Sequence, residues 1–148
     1  MSYIQSYYDP AYTRCFGCGH ANPNGLQIQS FWDGERAVCT FTPAPEQMAY
    51  PGVVYGGLIA SLIDCHSMAT ATAAAHRAEG RPLDSKPVII FVTGNLNVTY
   101  LAPTPLGPEL RLTAWVSEAG PKKSTVECEL SAGGKLRALG RTVAVRHA

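Results

Sequence analysis

The segment from Gly56 to Ala78 constrains the fold more than any other part of the chain, because it is mostly apolar and contains no proline. Alanine, leucine and methionine dominate it, and these residues favour helices. At ~1.5 Å per residue it would form a rod of about 34 Å. Too few of its residues are polar for a surface helix, so we expect other elements to wrap it. Asp64 and His66 interrupt the apolar pattern and argue against a membrane span.

Two glycines, Gly56 and Gly57, open this segment. Ser, Thr, Asp or Asn would cap a helix better, so the glycines suggest a backbone that another group approaches closely. The N–H groups of a first helical turn are free donors, and the helix dipole adds positive potential there. Such a diglycine hinge can hold an anion or a developing oxyanion. The alternative is a glycine-rich loop that simply enters a core helix.

Asp64 lies in the apolar first half of the predicted helix, where a charge is costly unless it is paired or used. It follows Gly57 by seven residues and therefore shares its face, but about 10–12 Å further along the axis. A carbonyl held at Gly56 is too far away for Asp64 of the same molecule to act on it. If Asp64 is catalytic, two antiparallel helices must meet at a homodimer interface. The alternative is a structural acid bonded to Ser61 or Thr93.

Composition limits the classes of function. A chain of 148 residues predicts one domain spanning 1–148, with residues 1–25 as an extension and turn. The net charge of +1 and 16% charged residues indicate no nucleic-acid partner. Low charge beside 46% hydrophobic residues favours self-association. The first residues lack a basic region followed by an apolar run, and five cysteines are an odd count, so we expect a reducing cytoplasm.

Cys15 and Cys18 form a Cys-x-x-Cys pair that His20 follows. A structural zinc site needs four ligands, usually from a second pair at regular spacing. The other cysteines stand apart, each within a predicted strand or helix. We therefore favour a tight turn leading into the first strand and expect no metal.

Alternating patterns predict strands around the helix. Asp33-Gly34 separates the first two strands and is a strong hairpin signal. Gly94 marks a bulge or a close backbone approach in the third strand. The fold class is α+β, with an antiparallel sheet that curls around one helix. The predicted strands cover residues 26–32, 37–41, 88–101, 109–118, 124–130 and 136–146.

Three blocks of the sequence resemble the hotdog-fold acyl-CoA thioesterases of the phenylacetate-pathway and THEM type. The opening from Cys15 to Leu26 resembles the start of one bacterial branch. Gly52 to Gly57, followed by Asp64, resembles the signature Gly-x-x-His-Gly-Gly…Asp. Residues 95–104 resemble the strand and turn that follow it. The resemblance covers nearly the whole chain.

The resemblance implies a hotdog fold in dimers, often paired into tetramers. It also implies that Asp64 is a general base or nucleophile, and that Gly56 N–H, with Gly57 beside it, polarises the thioester carbonyl. Thr93 matches a hydroxyl that orients water. Tyr55 replaces the usual histidine, and a tyrosine would narrow the pocket while keeping a hydrogen-bond donor.

The sequence thus predicts a homo-oligomeric acyl-CoA thioesterase that has no separate cofactor, since coenzyme A is part of the substrate. A non-catalytic protein that binds acyl-CoA or another small ligand is the alternative. A dehydratase or hydratase is disfavoured, because neither an Asp-x-x-x-x-His arrangement nor a His/Glu pair occurs around Asp64. Lysines could meet the coenzyme A phosphates or form a solvated face. The expected substrate contacts are Tyr55, Ser61, Asn95, Lys122 and Lys123.

Overall fold

A computed structural model describes residues 2–147. Two short 3-10 helices, Ile4–Tyr7 and Pro10–Tyr12, precede the sheet. One α-helix, α1, spans Gly56–Ala78. The six strands form a single antiparallel sheet in the order β1-β2-β4-β5-β6-β3. They are β1 Phe31–Trp32, β2 Ala37–Phe41, β3 Phe91–Tyr100, β4 Leu110–Ala119, β5 Lys123–Ala132 and β6 Lys135–Arg146.

The helix α1 has the predicted bounds and is the centre of the core. Its length and composition would suffice to cross a membrane, yet 61% of its most apolar stretch is buried inside the protein. Leu62 and Ile63 are fully buried against the sheet. Gly140 of β6 lets the helix approach, because a Cβ at that position would collide with Ile63. The helix is therefore wrapped as its composition predicts.

Strands β4 and β5 present the apolar faces that their alternation predicts. Leu110, Leu112 and Ala114 are fully buried, as are Val126 and Leu130. Each residue covered on the helix side alternates with a more exposed one along β5 and along β4 as far as Trp115. The period of two therefore fixes which face of the sheet packs on α1.

The predicted strand over residues 26–32 is wrong in extent, because only Phe31–Trp32 pairs with β2. Leu26 N–H donates to Phe16 O at 2.8 Å, and Ile28 N–H donates to Gly17 O at 3.0 Å. The backbone donors of this segment thus bind the preceding loop rather than a neighbouring strand. The hairpin at Asp33-Gly34 is confirmed by the β1–β2 pairing.

Strand β3 begins at Phe91, three residues later than predicted. The Ile89 N–H donates to the His76 ring and not to the backbone of a neighbouring strand. The predicted irregularity at Gly94 is confirmed by a register shift between Thr93 and Asn95. Within residues 2–147 this strand pairs only with β6 and lies at one edge of the sheet. Its residues from Val92 to Asn97 are exposed, so one edge of the core is uncovered in the single chain.

His66 is a core residue of the folded chain. Its Nε2–H donates to Ala37 O at 3.0 Å, and its Nδ1 accepts from Ser30 Oγ at 2.7 Å. Gln5 in turn donates to Ser30 Oγ at 3.0 Å. The N-terminal segment is therefore linked to the helix through Ser30 and His66. Burial lowers the pKa of His66 to about 4. The imidazole is therefore neutral and structural.

Candidate active site

Asp64 and Thr93 are brought together by the packing of α1 on β3. Thr93 Oγ1 donates a hydrogen bond of 2.5 Å to Asp64 Oδ1. Within residues 2–147, Asp64 Oδ2 accepts no hydrogen bond and is available to a ligand. A carboxylate with one oxygen anchored and the other free can act as a base or as a nucleophile.

The electrostatics of Asp64 suit a base. The carboxyl is half-buried, and this burial raises its pKa above the ordinary value. The hydrogen bond from Thr93 opposes that effect, while the nearby Cys15 acts in the same direction as burial. A carboxylate with a raised pKa takes up a proton more readily near neutral pH.

A cleft of about 420 Å³ opens over this acid. Its walls are mainly apolar and come from the N-terminal segment, α1 and the start of β3. Asp64 and Thr93 are its polar groups at the junction of helix and sheet. The other lining residues are Tyr8, Ala11, Tyr12, Arg14, Cys15, Cys18, Cys65, Met68, Ile90, Phe91 and Val92.

The diglycine hinge lies in a different cleft, of about 370 Å³, which Gly56 lines with Tyr100 and neighbouring residues. Tyr100 Oη donates to Gly56 O at 2.7 Å. Among the described residues, the N–H groups of Gly56 and Gly57 have no hydrogen-bond acceptor and no side-chain cap. The first turn of α1 therefore presents free donors. Acid and hinge are separated within one chain, as the helical rise predicts.

Tyr55 lies directly over Gly57. A Cβ at Gly57 would meet the Tyr55 ring at 2.5–2.8 Å, so only glycine accommodates this arrangement. The Tyr55 side chain is 57% exposed and can contact a ligand at the hinge. The replacement of the usual histidine thus places a ring beside the free N–H groups.

The remaining predicted contacts lie outside the Asp64 cleft. Ser61 Oγ donates to Gly57 O at 2.9 Å inside the helix, so its hydroxyl is already engaged. Asn95 is exposed on β3 and lines a separate surface depression. Lys122 and Lys123 are exposed at the β4–β5 turn. Lys123 pairs with Val145, which pairs with Val92, so this lysine lies two strands from the cleft wall.

Three cysteines in the cleft wall were missed as a group. The prediction that Cys65 stands apart is wrong, since its Sγ lies 3.8 Å from Cys15 Sγ. Cys18 completes the cluster. The neighbouring thiols of Cys18 and Cys65 lower the pKa of Cys15. The Cys-x-x-Cys spacing was the available signal, but the third thiol comes from the helix fifty residues later.

Two named relatives resemble this chain in sequence. It is 29% identical over 108 residues to human acyl-coenzyme A thioesterase 13, covering 72% of this chain and 69% of that protein. It is 30% identical over 95 residues to acyl-coenzyme A thioesterase THEM4 from Xenopus laevis, covering 64% of this chain. The chain spans 37% of the length of the Xenopus protein.

Two solved structures share the fold. A thioesterase superfamily protein from Shewanella loihica PV-4 is 43% identical, with a TM-score of 0.71 over 93% of this chain and 97% of that one. A hypothetical thioesterase from Streptococcus pneumoniae TIGR4, solved with coenzyme A, is 16% identical, with a TM-score of 0.65 over 82% of this chain and 87% of that one. The family model described as "Thioesterase superfamily" matches residues 51–139. That match takes in α1, Asp64 and β3 and extends over more than half of the sequence, so the chain belongs to the thioesterase superfamily and has its hotdog fold.

Proposed function

We propose that a homodimer of this protein hydrolyses acyl-CoA thioesters at a site shared between its two subunits. Asp64 is the general base or nucleophile, and Gly56 N–H polarises the thioester carbonyl. Membership of the thioesterase superfamily supports the reaction class. The names of the human and Xenopus relatives, and the coenzyme A in the Streptococcus structure, support an acyl-CoA substrate.

One observation carries the shared site. Thr93, near the start of β3, binds Asp64, whereas Tyr100, at the end of the same strand, binds the hinge at Gly56. The two halves of the chemistry are therefore fixed to opposite ends of one edge strand. Neither cleft is lined by both groups, because Asp64 lines one and Gly56 lines the other.

The uncovered edge of β3 supports the pairing that would complete the site. Val92 is 47% exposed, Leu96 36% and Tyr100 52%. A long edge strand with unpaired backbone groups and exposed apolar side chains favours pairing with a second copy. In an antiparallel pair centred between Leu96 and Asn97, Thr93 lies opposite Tyr100 of the partner subunit. Asp64 of one chain then meets the hinge of the other.

The proposed reaction needs only groups of the protein and water. Asp64 takes a proton from water while the water oxygen bonds to the thioester carbon, or it attacks that carbon directly. The carbonyl oxygen gains negative charge, which the free N–H at the hinge stabilises. The C–S bond breaks, and on the general-base route the coenzyme A thiolate takes the proton that Asp64 removed from water. On the direct route the acyl group is left on Asp64 as an anhydride, which water then hydrolyses, and the thiolate takes a proton released from that water. Tyr55, Ser61 and Asn95 remain proposed substrate contacts, and Lys122 and Lys123 remain proposed contacts for the phosphates of coenzyme A.

The substitution Asp64→Asn tests the proposal. It removes the base but keeps the shape, so we expect turnover of a panel of acyl-CoA thioesters to fall by about 10²–10⁴-fold. Thiol release measures turnover, and circular dichroism checks the fold. Asp84→Asn, an exposed acid-to-amide change in the loop before β3, is the matched control and should leave turnover unchanged. Full activity of the Asp64→Asn protein would contradict the mechanism.

The position of Tyr55 favours one alternative, a protein that binds acyl-CoA without hydrolysing it. The ring covers Gly57 and narrows the approach to the hinge donors. In that case coenzyme A esters would raise the melting temperature Tm of the wild-type protein, and no thiol would be released. Tyr55→His would then create the activity that the wild type lacks. Thiol release by the wild type itself would exclude this alternative.

A further inference from the structure

Three thiols converge in the wall of the Asp64 cleft and have no part in the proposed hydrolysis. Cys15 and Cys18 come from the loop before β1, and Cys65 comes from α1. Their Sγ atoms all lie within 4.8 Å of one another. All five cysteines are free thiols, and the other two are buried in the sheet. The cluster is thus a specific arrangement and not a general property of the cysteines.

The spacing of the Cys15 and Cys65 sulfurs is that of metal ligands. Two sulfurs bound tetrahedrally at about 2.3 Å from Zn²⁺ are about 3.8 Å apart. The sulfurs of Cys15 and Cys65 are separated by 3.8 Å. A disulfide would require about 2.05 Å and therefore a movement of the loop or the helix. A metal ion can bridge the thiols of Cys15 and Cys65 where they stand, and the sulfur of Cys18 lies within 4.8 Å of both.

The loop is built to hold its sulfurs against the helix. Gly17 packs on Cys65, and a Cβ at this position would collide with the Cys65 sulfur. Gly19 N–H donates to Cys15 O at 2.8 Å and closes the turn. The hydrogen bonds from Leu26 to Phe16 and from Ile28 to Gly17 fix the other side of the loop. The sulfurs are therefore placed by the backbone.

We propose that Cys15, Cys18 and Cys65 bind one Zn²⁺ ion. Three thiolates favour a soft or borderline metal over Mg²⁺ or Ca²⁺. The carboxylate of Asp64 is not part of the cluster, so the fourth ligand is a water molecule from the cleft that all three cysteines line. Binding displaces the thiol protons to solvent and ties the N-terminal wall of the cleft to α1. The proposal does not depend on the hydrolytic activity.

Metal titration of the full-length protein, freed of any affinity tag and kept reduced, tests the site. After treatment with a chelator, the wild type should bind one Co²⁺ per chain with a thiolate-to-cobalt absorption band, and Zn²⁺ should displace it. Cys15→Ala, Cys18→Ala and Cys65→Ala should each weaken Co²⁺ binding at least tenfold. Cys39→Ala and Cys128→Ala remove buried thiols outside the cluster and should leave binding unchanged.

The Cys15→Ala protein is the decisive variant, because Cys15 is exposed and its loss leaves the core intact. Zn²⁺ should raise the Tm of the wild type and not that of Cys15→Ala. The proposal is overturned if the reduced wild type binds Co²⁺ no better than Cys15→Ala. It is equally overturned if Cys39→Ala weakens binding as much as the cluster variants, or if the thiols form a disulfide and exclude the metal.

Discussion

At the residue scale, the hydroxyl of Thr93 decides how Asp64 is presented to the cleft. It donates to Oδ1, and among the described residues Oδ2 accepts no hydrogen bond. Hydrogen bonds to charged groups contribute about 1.5–3 kcal/mol, which corresponds to a factor of about 10–150. We expect Thr93→Val to lower kcat for acyl-CoA hydrolysis by that factor, because the carboxylate loses its fixed orientation.

Thr93→Ser restores the hydroxyl and should recover most of the turnover. Thr113→Val makes the same change on β4, away from the cleft, and should leave kcat unaltered. Thiol-release kinetics of the three variants provide the measurement. An equal loss of kcat in the valine and serine variants of Thr93 would show that packing, and not the hydrogen bond, is responsible.

A second residue, His76, links stability to pH. Its Nδ1–H donates to Pro82 O at 3.1 Å, and its Nε2 accepts from Ile89 N–H at 3.0 Å. A proton on His76 Nε2 would point at the Ile89 N–H, which is itself a donor. The folded protein therefore keeps the imidazole neutral. Burial lowers the pKa of His76, and Arg81 also lowers it, while the hydrogen bond to Pro82 opposes them.

The unfolded chain therefore binds this proton at a higher pH than the folded one. The contribution of His76 to stability is complete above about pH 6.5, the ordinary pKa, and decreases as the pH falls below it. Glutamine offers one donor and one acceptor without titrating. Acidification from pH 7.5 to 5.5 should lower the Tm of the wild type more than that of His76→Gln. Parallel Tm curves for the two proteins would disprove this role.

At the scale of elements, the first turn of α1 supplies the hinge donors. Gly56 is the first helical residue, where proline is well tolerated. Tyr55 before it has φ −59° and ψ 128°, an extended conformation compatible with a following proline. Gly56→Pro should remove the N–H with little loss of stability. We expect kcat to fall by about 10²–10³-fold, the usual effect of losing one oxyanion donor.

Gly56→Ala is the matched control for this substitution. The three atoms nearest to its Cβ would belong to the Tyr100 side chain, at 3.5 Å, which is an ordinary contact. The alanine keeps the N–H and should keep the activity. The measurement is kcat for both variants with Tm as the check of folding. Comparable losses in the alanine and proline variants would argue against a role for the donor.

The same elements show what a sequence can predict. The bounds of α1 follow from local signals, namely the glycines at its start and the absence of proline. The extent of the first strand does not follow from such signals. The N–H groups of the predicted strand bind the preceding loop, and the alternation of the sequence gives no sign of those bonds. The contact of Cys65 with Cys15 depends on how the loop folds onto the helix. Local periodicity fixes elements, whereas sites built from separate elements require the tertiary structure.

At the scale of the whole molecule, a single chain holds the parts of the proposed catalytic site in two places. The sequence predicts this from the helical rise between Gly56 and Asp64, and the structure shows the two residues in different clefts. The edge strand β3 connects them, since it contacts the acid near one end and the hinge at the other. If a second copy completes the site, the acid and the donor come from different chains. This consequence can be tested only by combining two variants.

Mixing two inactive chains provides that test. Asp64→Asn lacks the acid and Gly56→Pro lacks the donor, so neither homodimer has a working site. Co-expressed in equal amounts, they form hybrid dimers in about half of the cases, and each hybrid holds one intact site. Thiol release should recover to about a quarter of the wild-type rate, because half of the dimers carry one site instead of two. If the acid and the donor acted within one chain, every chain in the mixture would remain defective, and the rate would stay at the level of the separate variants.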